Sequence, residues 1–255
     1  MKPVVLVERD GAIGRIVLNR PEAMNAVTVE LGAQLHDALV SLGADPAINV
    51  ITIRGAGGNF SVGGDFGEVE RLIAAGHAEL KPLFENFGRA CEAIGGLAVP
   101  VVALVEGYAM AGGFELALAC DIALVRDEAK LADNHANFGW IPGGGSTQRL
   151  ARLVGRQRAL GVILSGERLT GAQAAEWGLA YRSLAAADFE AEATAFVDRL
   201  AAASRAAAGR IKQLVYDGSE LPLAAGLAAE RTAVVEFIMG DAGTAAVAAF
   251  KTRET

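Results

Sequence analysis

Cysteine is scarce in this 255-residue chain: Cys91 and Cys120 are the only two. Their spacing matches neither a disulfide framework nor a paired-cysteine metal site, so both read as small core residues in a reducing compartment. Positive charge is also in short supply. Lys and Arg number 23 against 30 Asp and Glu, a net charge of −7, which removes the attraction that draws basic proteins to nucleic acid or anionic membranes. Long apolar runs are missing as well. The longest, from Leu97, is broken by Glu106 and again by Glu115, short of the roughly 20 residues a membrane-spanning helix needs. The opening MKPVVLVERDGAIG has only a brief apolar run before Glu8, Arg9 and Asp10, too short and too charged for a secretory signal. Together these absences imply a cytoplasmic location.

What the chain does contain is apolar substance: 52% hydrophobic residues against 21% charged, somewhat more apolar than an ordinary soluble domain. Its length suffices for one large core or a core plus an appendage, and the surplus suggests buried subunit interfaces. Val4 to Val7 and Ile13 to Leu18 flank Asp10-Gly11 and predict a hairpin. Leu31, Leu35, Leu39 and Leu42 share one helical face, with Thr28 placed to cap the start and Gly43 the end. Strands are expected at Val50 to Ile53, Val101 to Val105 and Ile122 to Val125, with helical segments around Leu80 to Ile94 and from Ser146 to Val154, closed by Gly155. Thr170 and Gln173 have capping-box spacing. From Asp188 onward the sequence is alanine-rich and helical. The alternation predicts an α/β fold with a largely parallel sheet, divided into a core over residues 1–195 and a helical region over 196–255.

Two glycine-rich stretches carry the candidate chemistry. GAGGNFSVGGD at 55–65 is too long for a hairpin turn, and EGYAMAGGFELALACD at 106–121 sets Glu115 in an apolar run just after Gly112-Gly113. Glycine allows close backbone approach, and the first turn of a helix leaves amides without intrahelical partners. Such amides at Gly112, with another near Gly63-Gly64, would serve as an oxyanion hole. The pair also reads as a packing device, with the glutamate favoured there by the helix dipole alone. GAGGNF lacks the third glycine of a dinucleotide fingerprint and IPGGGST lacks the lysine of a phosphate loop, so neither supports a nucleotide enzyme.

In order along the chain, RPEAMNAVT at 20–28, GAGGNFSVGGDF at 55–66, EGYAMAGGFELALACDIAL at 106–124, FGWIPGGGSTQRLARLVG at 138–155 and LTGAQAAEWGLA at 169–180 resemble the enoyl-CoA hydratase/isomerase (crotonase) superfamily. The resemblance runs nearly end to end. It implies a crotonase-like (ClpP/crotonase) spiral of ββα units with a C-terminal helical trimerisation region, assembled as a homotrimer or as a hexamer built from two trimers. It implies no prosthetic group and no metal, with coenzyme A entering as part of an acyl-CoA substrate, and no nucleic-acid or membrane partner. The amides of Gly64 and Gly112 would hold the thioester oxygen. Arg20, Ala23, Val62, Gly64, Asp65 and Phe66 would line the coenzyme A moiety, as would Phe250 and Arg253 from a neighbouring subunit, although Asp65 serves equally as a loop residue and Arg253 as a surface ion pair. Trp140 is a candidate for the acyl pocket or the core.

Glu115 matches the first of the two catalytic glutamates of the hydratases. The second is missing: its place, counted back from Ile141-Pro142-Gly143, falls on His135. An imidazole still serves as acid or base near neutral pH. The expected activity is therefore hydration of a 2-enoyl-CoA, with enoyl-CoA isomerisation or another crotonase-type reaction on the Glu115/His135 pair as the alternative. A non-catalytic acyl-CoA-binding paralogue is the alternative of another class. His36 and His77 have no such alignment and read as solvated or structural.

Overall fold

The computed structural model describes residues 2–253. Its strands are β1 (Val5–Asp10), β2 (Ile13–Leu18), β3 (Val50–Gly55), β4 (Val101–Val105), β5 (Tyr108–Met110), β6 (Ile122–Arg126), β7 (Lys130–Ala132), β8 (Leu169–Thr170) and β9 (Arg182–Leu184). Its helices are α1 (Val29–Ala44), α2 (Phe66–Ala75), α3 (His77–Gly96), α4 (Gly112–Ala119), α5 (Ser146–Val154), α6 (Arg156–Ser165), α7 (Gly171–Glu176), α8 (Phe189–Ala201), α9 (Arg205–Ser219), α10 (Leu223–Met239) and α11 (Asp241–Arg253).

The expected hairpin forms. β1 and β2 pair antiparallel from Val5↔Leu18 to Asp10↔Ile13, and Gly11 at its turn takes a φ of +56°. From β2 onward the larger sheet is parallel, in the order β1-β2-β3-β4-β6-β9. A smaller sheet, β5-β7-β8, stands beside it. Successive strands are dealt alternately to the two sheets: β4 to the larger, β5 to the smaller, then α4; β6 to the larger, β7 to the smaller. This alternation produces the spiral of ββα units.

Strands buried on both faces read as unbroken apolar runs, and β4 (VVALV) is buried throughout. Val101, Ala103 and Val105 join the main cluster with Leu31, Leu35, Leu39 and Leu42 of α1 and Leu83, Phe87 and Ile94 of α3. Val102 and Leu104 face the other way, against Phe189, Ala193 and Val197 of α8. The division expected at residues 195/196 thus falls inside α8, a helix that covers the sheet. Farther on, α9 is pinned to the core by Lys212, whose buried Nζ donates to the Ile94 carbonyl at 2.6 Å, the Val99 carbonyl at 3.0 Å and Asp121 Oδ2 at 2.7 Å.

Local signals mostly hold. Thr28 Oγ1 accepts the Leu31 amide at 3.0 Å, Thr170 and Gln173 form the capping box, and α5 stops at Gly155. Gly43 is a correction, because α1 continues through Ala44 and is closed by Asp45. A Cβ at Gly43 would stand 2.6 Å from Leu97 Cδ2, so this glycine admits a neighbouring side chain and does not end the helix. Helix α2 also extends the sequence reading, since Asp65 closes the glycine loop and caps a helix through Oδ1, which accepts the Glu68 amide at 3.0 Å.

Candidate active site

The loop 56–65 is held from below by a residue the motif reading passed over. Asn25, fully buried with a φ of +58°, donates to the carbonyls of Ala56 at 2.9 Å and Asn59 at 2.8 Å while accepting the Arg20 amide at 2.9 Å. The RPEAMNAVT segment is thereby tied to the glycine loop. Ser61 bridges to Ala109 and Gly64 to Val27. In the second bridge Val27 donates to the Gly63 carbonyl and Asp65 to the Val27 carbonyl, which leaves the Gly64 amide on the opposite side.

The start of α4 is pressed onto this loop. Ala111 holds φ +47° and ψ −118°, a sparsely populated conformation whose strain must be offset by its surroundings. Here its amide donates to the Ala132 carbonyl and its carbonyl accepts the Glu115 amide, both at 2.9 Å. A side chain at Gly113 would overlap the Ser61 carbonyl, and a Cβ at Gly63 would stand 2.9 Å from the Gly112 nitrogen. These glycines let the two backbones touch. Among the described residues neither the Gly64 nor the Gly112 amide has a protein acceptor. Both glycines line one cavity of about 910 Å³, together with Glu115 and His135.

Glu115 is 2% exposed. Its Oε1 accepts two amides from the loop before α5, Gly144 at 2.7 Å and Ser146 at 3.0 Å. Burial pushes the carboxyl above its ordinary range, and those two amides with the nearby imidazole offset only part of that. The free oxygen, Oε2, lies 3.9 Å from His135 Nε2. On the other side of the ring, Nδ1 stands 2.7 Å from Oδ1 of Asp133. Burial alone would lower the imidazolium's pKa, but the Asp133 hydrogen bond and charge, with the Glu115 charge, hold it above the ordinary histidine value. Sequence reasoning placed Glu115 and His135 together; it did not find Asp133, nor the amide lock from Gly144 and Ser146.

The cavity's remaining walls are largely apolar. Phe66 stacks on Trp140 at 5.2 Å and meets Phe138 edge-on at 5.0 Å, and Val62 also lines the space. Trp140 is a wall residue 39% exposed, so the core reading gives way. Arg20 and Asp65 spend their polar groups on the protein: Arg20 reaches Asp65 Oδ2 at 2.7 Å and the Ala26 carbonyl at 2.5 Å. Ala23 sits in the turn Pro21–Ala23, and Phe250 is exposed on α11; neither lines the cavity. The Arg253 side chain lies outside the described residues. His36 pairs with Asp37 at 3.2 Å on α1, and His77 opens α3.

Two glycines with unspent amides thus line one cavity with a buried carboxylate and an imidazole, an arrangement suited to chemistry on a polarised acyl group. The chain belongs to the enoyl-CoA hydratase/isomerase family, whose sequence profile matches residues 8–255. It is 36% identical over 227 residues to a probable enoyl-CoA hydratase of Mycobacterium bovis, covering 89% of this chain and 86% of that one. It is 34% identical to the 2,3-dehydroadipyl-CoA hydratase of Escherichia coli K12, over 89% of this chain and 87% of that one. Its fold matches the crystal structure of an enoyl-CoA hydratase from Polaromonas sp. JS666 with a TM-score of 0.92 at 28% identity, over 98% and 97% of the two chains. The expected spiral fold and membership of the lyase/isomerase family are thereby established.

Proposed function

We propose that the enzyme adds water to the double bond of a 2-enoyl-CoA, with the thioester oxygen held by the Gly64 and Gly112 amides. The observation that carries this reading is the single cavity shared by two unspent amides and the Glu115/His135 pair. Donors fixed in a water-poor site stabilise an enolate oxygen without reorganising, each contributing about 3 to 4 kcal/mol. The 3.9 Å between Glu115 Oε2 and His135 Nε2 is too long for a direct hydrogen bond and leaves a water able to contact both.

The proton balance follows from that placement. The water oxygen bonds to C3, its departing proton goes to Glu115 Oε2, and the C2 carbon of the enolate takes a proton from His135 Nε2. The proton on Glu115 then returns to His135, and the net change is one added water. Coenzyme A would lie along the rim made by Phe66, Val62 and the Arg20–Asp65 pair, with Ala23 beside it. Helices from residue 196 on would serve assembly, bringing Phe250 and Arg253 of a neighbouring copy to that rim. The exposed apolar side chains of α10, such as Leu223 at 79% and Met239 at 76%, support such burial between copies.

Double-bond isomerisation is the second reading, favoured by His135 standing where the hydratases carry a carboxylate. A mass-resolved assay of 2-enoyl and 3-enoyl CoA esters, run on the wild type, Glu115→Gln and His135→Ala, separates the two. Hydration adds the mass of one water to the 2-enoyl ester. Interconversion of the esters at constant mass would replace hydratase by isomerase, and turnover unchanged in Glu115→Gln would remove this site from the chemistry.

A further inference from the structure

We propose that Asp133 is a positioning residue that orients and charges His135, making an Asp133–His135 dyad the proton-delivering half of this site. Asp133 follows β7 and is fully buried. Its Oδ1 takes the His135 ring nitrogen Nδ1 at 2.7 Å, while the backbone contact to the His135 amide is a slack 3.4 Å. Its Oδ2 is buried with no hydrogen-bond partner. A buried carboxylate that spends its one short bond on an imidazole is a costly way to build a turn. The same bond fixes the ring: a carboxylate acceptor holds the proton on Nδ1, so Nε2 faces Glu115 and the cavity as an acceptor when the ring is neutral and as a donor when it is charged.

The other charges around the ring are few. Glu115 faces it from α4 at 3.9 Å. Arg168 lines the same cavity but forms no ion pair among the described residues. On α6, which packs against this turn, Arg158 lies over the Trp177 ring and Arg156 points into solvent. Asp133 is thus the carboxylate in bonding contact with His135, and it enters the chemistry only through that ring.

The inference deepens the hydratase reading and rests on it for the catalytic consequence, so the test has one arm that needs no substrate. The chain has three histidines, and His135→Gln identifies the His135 signals in ¹⁵N-detected spectra of the full-length protein. In the wild type the neutral ring is expected to carry its proton on Nδ1, and Asp133→Asn should move the titration midpoint down by about one pH unit or more. A neutral ring protonated on Nε2 in the wild type, or a midpoint unmoved in a folded Asp133→Asn protein, overturns the proposal whatever the enzyme turns over. In the second arm, Asp133→Asn should lower kcat about tenfold or more with little change in KM, and the alkaline limb of the kcat profile should shift to lower pH. In a His135→Glu background the same change should cost nothing further. An equal loss in both backgrounds would make Asp133 merely structural.

Discussion

Gly144 donates its amide to Glu115 Oε1 at 2.7 Å, and a Cβ added at Gly144 would stand 2.8 Å from Oε2 of the same carboxylate. One residue therefore both holds the carboxylate and leaves it room. Gly144→Ala should displace the carboxylate and press on Phe87 Cε1, 2.7 Å from the added carbon. Misplacement of a reacting group by about 1 Å can cost on the order of a hundredfold. The expected result is a fall in kcat of about tenfold or more with a far smaller change in thermal stability, read from steady-state kinetics and a melting curve. Wild-type kcat would show that the loop gives way without moving Glu115.

Glu115→Gln keeps an oxygen for the Gly144 and Ser146 amides but cannot take up a proton. Turnover should fall by about a hundredfold or more, the usual scale of a general acid–base contribution, while acyl-CoA binding measured by calorimetry changes little. Loss of binding together with turnover would point to a positional role.

The same substitution has a predictable effect on stability. The native carboxyl is held above its unfolded value of about 4.3 by burial. The folded state thus binds this proton more tightly than the unfolded state. Its contribution is fully present below about pH 4.3 and is lost as pH rises through the native value. At neutral pH Glu115→Gln should therefore melt higher than the wild type, and the gap should narrow on acidification toward pH 4. Melting curves across that range test it; a gap of the same size at both ends would contradict the sign.

Lys212→Met should loosen the C-terminal helices. Lys212 and Asp121 have side chains only 7% and 11% exposed, and Tyr216 donates to the other Asp121 oxygen at 2.8 Å. Removing one member of a buried pair leaves the other charge uncompensated, a loss of about 3 kcal/mol or more. Urea unfolding should show it, and limited proteolysis should cut first near α9. Asp121→Asn combined with Lys212→Met should recover part of the loss, since no lone charge then remains.

Much of this molecule could be read locally. Hairpin, helix caps and capping box depend on hydrogen bonds closed within a few residues, and Leu31, Leu35, Leu39 and Leu42 announce a buried helical face by spacing alone. Glu115 and His135 were placed in one site by a different route, the resemblance of the ordered motifs to the crotonase family, since spacing alone does not bring the two together. Gly43 misled because a glycine near a helix end looks the same whether it stops the helix or admits Leu97.

What remained for the tertiary structure is whatever depends on segments meeting across the fold. The amides that hold Glu115 come from 29 and 31 residues downstream, and Asn25 clamps a loop more than 30 residues away. Asp133 is close to His135 in sequence, yet its meaning comes from burial that denies it other partners and from the ring's orientation toward Glu115. Residue types and their spacing set the secondary structure and the inventory of reactive groups; the path of the chain decided which of them lost water and faced one another, and that sets their proton affinities.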